Sequence, residues 1–216
     1  MSTESARVST RPLRRDAQRN RELLLAAARE VFAERGLEAP LEEIARRAGV
    51  SIGTLYNRFP GRVDLVDAAL TELVEASVRI AERALANPDP WRGLVDHFTA
   101  IAELQAADRG FTDICVYALP PGSATERAKR RGAALTLALC ERAQRAGVLR
   151  PDVTLTDLGL LVWAVVRASD GVRAVAPGVW RRHLAVLLDG LRPDAAHPLP
   201  GQPLDPELAR QAMAFR

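Results

Sequence analysis

Apolar residues recur every three or four positions along nearly the whole chain, with polar residues filling the gaps. Leu24, Ala28, Val31 and Phe32 mark one face of a helix from about Asp16 to Arg35, and Gly36 is placed to stop it. A short helix follows over about Leu41 to Ala48, with Pro40 at its first position and Gly49 at its end. Ser51 caps a third, about Ile52 to Arg58, closed by Phe59-Pro60-Gly61. A long helix covers about Val63 to Ala86 on a stripe that includes Leu65, Ala69, Leu70, Val74 and Val78. Asp89 and Pro90 then start a helix that reaches about Ala107. Residues 109–122 give no regular signal, and "ALPPG" breaks the chain. Ser123-x-x-Glu126 reads as a capping box opening a helix to Ala146, stopped by Gly147. Thr154-x-x-Asp157 opens another to about Asp170, and Pro177 starts a last large helix ending near Gly190. No alternating run marks a strand. The pattern predicts an all-α protein.

These breaks divide the chain into a disordered basic arm (1–13), a three-helix unit (14–62), a larger helical unit (63–192) and a proline-rich tail (193–216). The tail could carry one more short helix from Pro206, capped by Asp205. With 48% hydrophobic and 26% charged residues among 216, the composition is that of a folded globular chain. The longest apolar run, "LGLLVWAVV" (Leu158 to Val166), is too short to span a bilayer, and no apolar stretch follows the first basic residues. The cytoplasm is the expected compartment. Cys115 and Cys140 have neither metal-ligand spacing nor a disulfide framework, and His97, His183 and His197 are scattered, so no metal and no cofactor is expected. The net charge is only +3, but six arginines against one acid lie between Arg7 and Arg21. That bias puts positive charge at the N-terminus.

Two short helices joined by "AGVS" have the order of a helix-turn-helix, in which Gly49 turns and Ala45 and Val50 allow close packing. Leu41, Ile44, Ala45, Val50, Leu55 and Phe59 would build a small core with Phe32. Behind the Ser51 cap, Ile52, Gly53, Thr54, Asn57 and Arg58 would face outward. A major-groove helix needs such a face: N-terminal side chains reach base edges while flanking groups hold phosphates. Gly53 removes a side chain from the line of approach. Thr54 offers a hydroxyl and a methyl, Asn57 can pair with adenine and Arg58 with guanine. Tyr56 can place its hydroxyl on a phosphate, Arg62 would lie beside the same strand, and Arg14, Arg15 and Arg19 would add backbone or minor-groove contacts.

The segment Phe32 to Leu70 resembles the N-terminal domain of the TetR family of transcriptional regulators. The resemblance rests on Phe32/Gly36, Ile44-Ala45, Ala48-Gly49-Val50-Ser51, Gly53-Thr54-Leu55-Tyr56, Phe59 and Arg62. "AGVLRPDVTLTDL" (Ala146 to Leu158) is similar to a phrase common in the family's C-terminal half. Three positions depart: Pro40 stands where many members have a phosphate-touching threonine, Asn57 where histidine is frequent, and Arg62 where lysine is frequent. The resemblance implies a helix-turn-helix DNA-binding domain followed by an effector-binding and dimerisation domain. It further implies a homodimeric repressor, not an enzyme, released from a palindromic double-stranded operator by a small effector, and the few charges among the candidate cavity positions below make a mostly apolar effector the expectation.

On the helices that enclose the cavity in similar proteins lie Trp91, Phe98, Ile101, Phe111, Cys115, Tyr117, Leu137 and Trp163. The dimer interface would use Leu158, Leu161, Val162 and Val165 with Leu184, Leu187 and Leu188, from helices apolar on more than one face. An all-α enzyme and a helical protein-interaction adaptor are the competing readings. Against the first, no nucleophile–base arrangement, paired carboxylates or phosphate loop is visible.

Overall fold

The structure, a computed structural model, describes residues 10–205 and Leu208. Among them are nine α-helices and no strand: α1 (Thr10–Arg35), α2 (Leu41–Arg47), α3 (Ile52–Arg58), α4 (Arg62–Ala86), α5 (Pro90–Ala107), α6 (Arg109–Val116), α7 (Ala124–Arg145), α8 (Leu155–Ser169) and α9 (Val179–Asp189). Single 3₁₀ turns follow α8 (Asp170–Val172) and α9 (Pro193–Ala195). No helix among the described residues is long and apolar enough to cross a membrane.

Most helix ends obey local chemistry. Ser51 Oγ accepts from Thr54 N at 3.2 Å, and Asp89 Oδ1 accepts from Trp91 N and Arg92 N at 2.9 and 3.0 Å. Thr154 and Asp157 cap each other: Thr154 N donates to Asp157 Oδ2 at 2.8 Å and Asp157 N to Thr154 Oγ1 at 3.2 Å. Ser123 makes only its half of a box, accepting from Glu126 N. Gly36, Gly49 and Gly147 all have positive φ, the left-handed geometry that ends a helix at no steric cost to glycine.

Four boundaries differ from the sequence reading. α1 begins at Thr10, so residues 10–13 are helical rather than part of an arm. Pro12 sits in the first turn, where a missing N–H costs nothing. Pro40 is extended (ψ 134°) and precedes α2, leaving that helix without a side-chain cap. α6 occupies part of the stretch that looked irregular, and Asp108 caps it by accepting from Phe111 N at 2.9 Å. α9 starts two residues after Pro177. Residues 1–9 and the helix expected from Pro206 lie outside the described residues, Leu208 excepted.

Two apolar clusters organise the molecule. The first joins α1, α2 and α3 to the first half of α4 and to α6, through Leu24, Phe32, Ile44, Leu55, Leu65, Leu70, Phe111 and Ile114. Of the expected head core, Val50 alone is partly exposed. The second joins α5, α7, α8 and α9 through Leu94, Phe98, Leu139, Leu158, Trp180 and Leu184. α4 runs through both and packs most extensively on α7. Polar ties reinforce these joints. Asp67 on α4 accepts from Thr125 N (2.8 Å) and Ala124 N (3.3 Å), capping α7 from outside. Burial raises that carboxyl, but the Thr125 and Ala124 donors outweigh it and hold it below the ordinary carboxylate range. Arg142 on α7 returns the service, donating to Leu85 O (2.5 Å) and Asn87 O at the end of α4. The tail is anchored where buried Arg150, paired with Asp152 at 2.7 Å, also donates to His197 O.

Candidate functional site

The outward side of α3 is polar because every apolar residue of the helix-turn-helix that can turn inward does so. Leu55 and Phe59 are buried, as are Ile44 and Ala45 across the turn. Gly53, Tyr56, Asn57 and Arg58 are exposed, and Ile52 and Thr54 are half-buried. Ser51 Oγ lies 2.9 Å from Thr54 Oγ1, so the cap and the threonine hydroxyl form one unit at the helix start. Neither the Asn57 nor the Arg58 side chain has a hydrogen bond or ion pair among the described residues. Arg19 is exposed on α1, while Arg14 and Arg15 lie in its first turns with side chains outside the described part. Arg21, a residue the sequence reading passed over, covers Phe59 with its guanidinium 5.6 Å from the ring centroid.

Gly53 is the informative member. Its φ is not positive, and a Cβ added there would meet only Ser51 Oγ at 3.8 Å. The fold therefore has no use for glycine at this position, although glycine costs a helix about 0.5–1 kcal/mol relative to alanine. Among the described residues nothing requires the missing side chain.

Arg62 does not lie where the sequence reading put it. Its guanidinium turns inward from the first turn of α4 and donates to Leu37 O and, at 2.7 Å, to Ala39 O. It ties the α1–α2 loop to α4, because two backbone carbonyls left open by that loop need donors. Both bonds come from the single nitrogen Nη1.

Between the two apolar clusters lies a cavity of about 500 Å³, walled by α4, α5, α6, α7 and α8. Phe98, Ile101, Phe111, Cys115, Tyr117 and Trp163 line it, as the sequence reading expected. Trp91 and Leu137 do not. Trp91 stacks under Arg192 (4.2 Å) beside a separate pocket of about 300 Å³ between α5 and α9, and Leu137 is 45% exposed on α7. Cys115 has accessible surface, yet protein surrounds it; that surface opens onto the cavity, and burial pushes the thiol up to about 11.

The polar groups of this wall were missed. His97 and Gln105 are buried side chains on the same face of α5, and Thr136 stands opposite His97 on α7. His97 Nε2 is 3.2 Å from Thr136 Oγ1, and burial pushes the imidazole down to about 4, so it is neutral near pH 7. His97 Nδ1 and Gln105 Oε1 have no hydrogen-bond partner among the described residues. A histidine and a glutamine four residues on either side of Ile101 carry no signal in sequence until a cavity is known.

The cavity is joined to the helix-turn-helix unit through α6. Phe111 and Ile114 line the cavity, and Asp113 between them accepts from Leu37 N at 2.9 Å with Oδ2. Gly110 packs on Phe32 so closely that a Cβ would sit 3.0 Å from the Phe32 Cβ and 3.2 Å from its carbonyl carbon.

Of the residues assigned to a dimer interface, Leu158, Val162, Leu184 and Leu188 are buried in the second cluster of their own chain and cannot meet a partner. They are the inward stripes of α8 and α9. Leu161, Val165 and Leu187 retain exposure, and Val186, 68% exposed, joins them on the outer side.

The chain is similar in both halves to known regulators. Residues 24–69 match the family described as bacterial regulatory proteins, tetR family, and residues 89–193 match the transcriptional regulator SbtR-like, C-terminal domain. The HTH-type transcriptional repressor BepR of Brucella suis biovar 1 is 28% identical over 164 residues, spanning 70% of this chain and 78% of that protein. The HTH-type transcriptional regulator UidR of Escherichia coli (strain K12) is 28% identical over 192 residues, 76% of this chain and 94% of that protein. A solved TetR transcriptional regulator from Streptomyces coelicolor is 32% identical, with 80% of this chain and 98% of that one covered and a TM-score of 0.53.

Proposed function

This chain belongs to the TetR family of DNA-binding transcriptional regulators, and from that premise we propose that it is a cytoplasmic homodimeric repressor released from a palindromic operator by a small effector. The observation that carries the reading is the α3 surface: a glycine without a structural reason, flanked by half-buried Thr54 and by exposed Tyr56, Asn57 and Arg58. Thr54, Asn57 and Arg58 read base edges, Gly53 admits the duplex, and Tyr56 and Arg19 hold phosphates. Arg62 acts at one remove, by fixing the loop beneath α2. Two heads related by a two-fold axis meet half-sites about one helical turn apart. The outer sides of α8 and α9, with Leu161, Val165, Val186 and Leu187, supply the contact between subunits.

The effector occupies the cavity, whose walls are mostly apolar. Its differential affinity for two placements of α6 shifts the population between them. Because α6 holds the α1–α2 loop through Asp113 and Leu37 N, the head follows, and its spacing from the partner head ceases to match the operator. The role is regulatory, and no catalytic step is assigned to the cavity.

The test is a fluorescence-anisotropy titration on inverted repeats from the DNA flanking the protein's own gene. Wild type should bind with an affinity that falls steeply with salt. Tyr56→Ala should weaken binding to all duplexes alike, whereas Asn57→Ala should cost about 1–3 kcal/mol on the preferred duplex alone. If both variants titrate as wild type does, α3 is not the reading helix.

A further inference from the structure

The walls of the cavity are mostly apolar; Glu126, Lys129 and Arg130 of α7 bring charge to one side, and along α5 His97, Ile101 and Gln105 follow each other at intervals of four. The two polar members stand about 12 Å apart along the helix axis, with the apolar one between them. Both are more than nine-tenths buried. Each presents one atom with no partner among the described residues, Nδ1 of His97 and Oε1 of Gln105.

The proton positions decide what these atoms can do. A threonine hydroxyl has a single proton, and that of Thr136 goes to Gly132 O at 2.9 Å. Thr136 Oγ1 can then only accept from His97 Nε2, at 3.2 Å, which places the imidazole proton on Nε2 and leaves Nδ1 a bare acceptor. Burial keeps the ring neutral, so Nδ1 does not gain a proton near pH 7. Gln105 turns its Nε2 toward Cys115 Sγ at 3.9 Å, which leaves the carbonyl oxygen as the unmatched end. Of the charged groups at the wall, the Lys129 ammonium donates to Tyr117 O at 2.7 Å and lies 3.6 Å from Glu126, and Arg130 Nε is 3.6 Å from the same carboxylate, so these charges are matched within the protein.

We infer that the cavity selects a neutral, elongated, apolar molecule carrying a hydrogen-bond donor at each end, one for His97 Nδ1 and one for Gln105 Oε1. The inference rests on the reading of this cavity as the effector site and narrows it to a chemical class. Buried acceptors without partners weigh against a ligand that brings only carbonyl or ether oxygens, because two lone-pair surfaces would then face each other. An apolar body is needed between the ends, since Ile101 and its aromatic neighbours occupy the middle of the stripe.

The experiment uses the full chain and three rigid probes of one shape: 4,4′-dihydroxystilbene, 4-hydroxystilbene and 4,4′-dimethoxystilbene, titrated by calorimetry. The diphenol should bind about tenfold more tightly than the monophenol and about a hundredfold more tightly than the dimethyl ether. Gln105→Leu and His97→Phe, checked for helical content by circular dichroism, should each reduce the preference for the diphenol about tenfold while leaving the ether unaffected. If wild type binds all three probes within threefold, the donor requirement is wrong although the cavity still takes apolar effectors. If no probe binds while the same preparation shifts its operator, the effector site is wrong as well and the DNA-binding reading stands. The ligand comparison on wild type remains decisive even if a variant fails to fold.

Discussion

The DNA-facing unit and the cavity-bearing unit differ in where each leaves its chemistry unfinished. In the first, the interior is complete: Phe32, Ile44 and Leu55 are fully enclosed, and the loop carbonyls of Leu37 and Ala39 are matched by Arg62. What lacks an internal reason is on the surface, at Gly53, Asn57 and Arg58. In the second, many surface charges are paired, as in Arg131–Glu75 and Arg181–Glu103, and the unmatched groups are inside, at His97 and Gln105. A rigid reading head needs a filled core and free groups on the one face it offers. A responsive body needs the reverse.

Several changes would sharpen or break that contrast. The largest effect should come from Phe32→Ala, which empties a fully buried site where α1, α4 and α6 meet; a loss of about 3–5 kcal/mol is expected in urea unfolding. A loss below 1 kcal/mol would mean that the head core is not packed as described. Next is the pH response of the body. His97 has a folded value near 4 against an ordinary 6.5, so below pH 6.5 the unfolded chain takes a proton that the folded chain refuses. Stability should be full above pH 6.5, fall by about 3 kcal/mol as pH drops toward 4, and level off there. His97→Phe should remove that part of the slope in a pH series of unfolding curves, and an unchanged slope would contradict the buried, neutral ring.

Arg62→Ala comes third. It strips the donors from two loop carbonyls and should cost about 2 kcal/mol in stability as well as operator affinity. A variant with wild-type stability and weak DNA binding would return Arg62 to the phosphate backbone. The smallest effect is the most discriminating. Gly53→Ala should raise stability by about 0.5–1 kcal/mol while reducing operator affinity, a reversal of sign that only an external reason for the glycine produces. Calorimetric unfolding and anisotropy on one preparation measure both.

Legibility in the sequence followed the range of the forces involved. α2 and α3 were readable to within a residue because the Ser51 cap and the Gly49 turn act over three or four positions. α6 was not, since it is short, contains Gly110 and draws its stability from Phe32 in a different helix. The Asp108 cap was the available signal. At the cavity, aromatic residues such as Phe98 and Trp163 were found by their place on the expected helices, but Trp91 and Leu137 share those helices and point elsewhere. Periodicity shows that α8 and α9 have two apolar sides and cannot say which faces the chain's own core. Leu158 and Val162 were therefore given to an interface although they face the chain's own core. Arg62 went astray for a related reason: a guanidinium at a helix start serves a phosphate or a carbonyl equally well until the loop beside it is placed.

The joint between the two units carries one further consequence. Gly36 is held to glycine twice over, by a φ of +81° and by Asp113, whose Oδ2 would lie 2.3 Å from any added Cβ. Asp113 occupies that space because it accepts from Leu37 N, the residue next to the turn. Substitutions at 36 and 113 are thus epistatic: shortening Asp113 lifts the steric half of the constraint on Gly36 and leaves the backbone half, so an asparagine that tolerates positive φ becomes admissible at 36 only after 113 has changed. The order in which the two positions can drift is set by one oxygen atom.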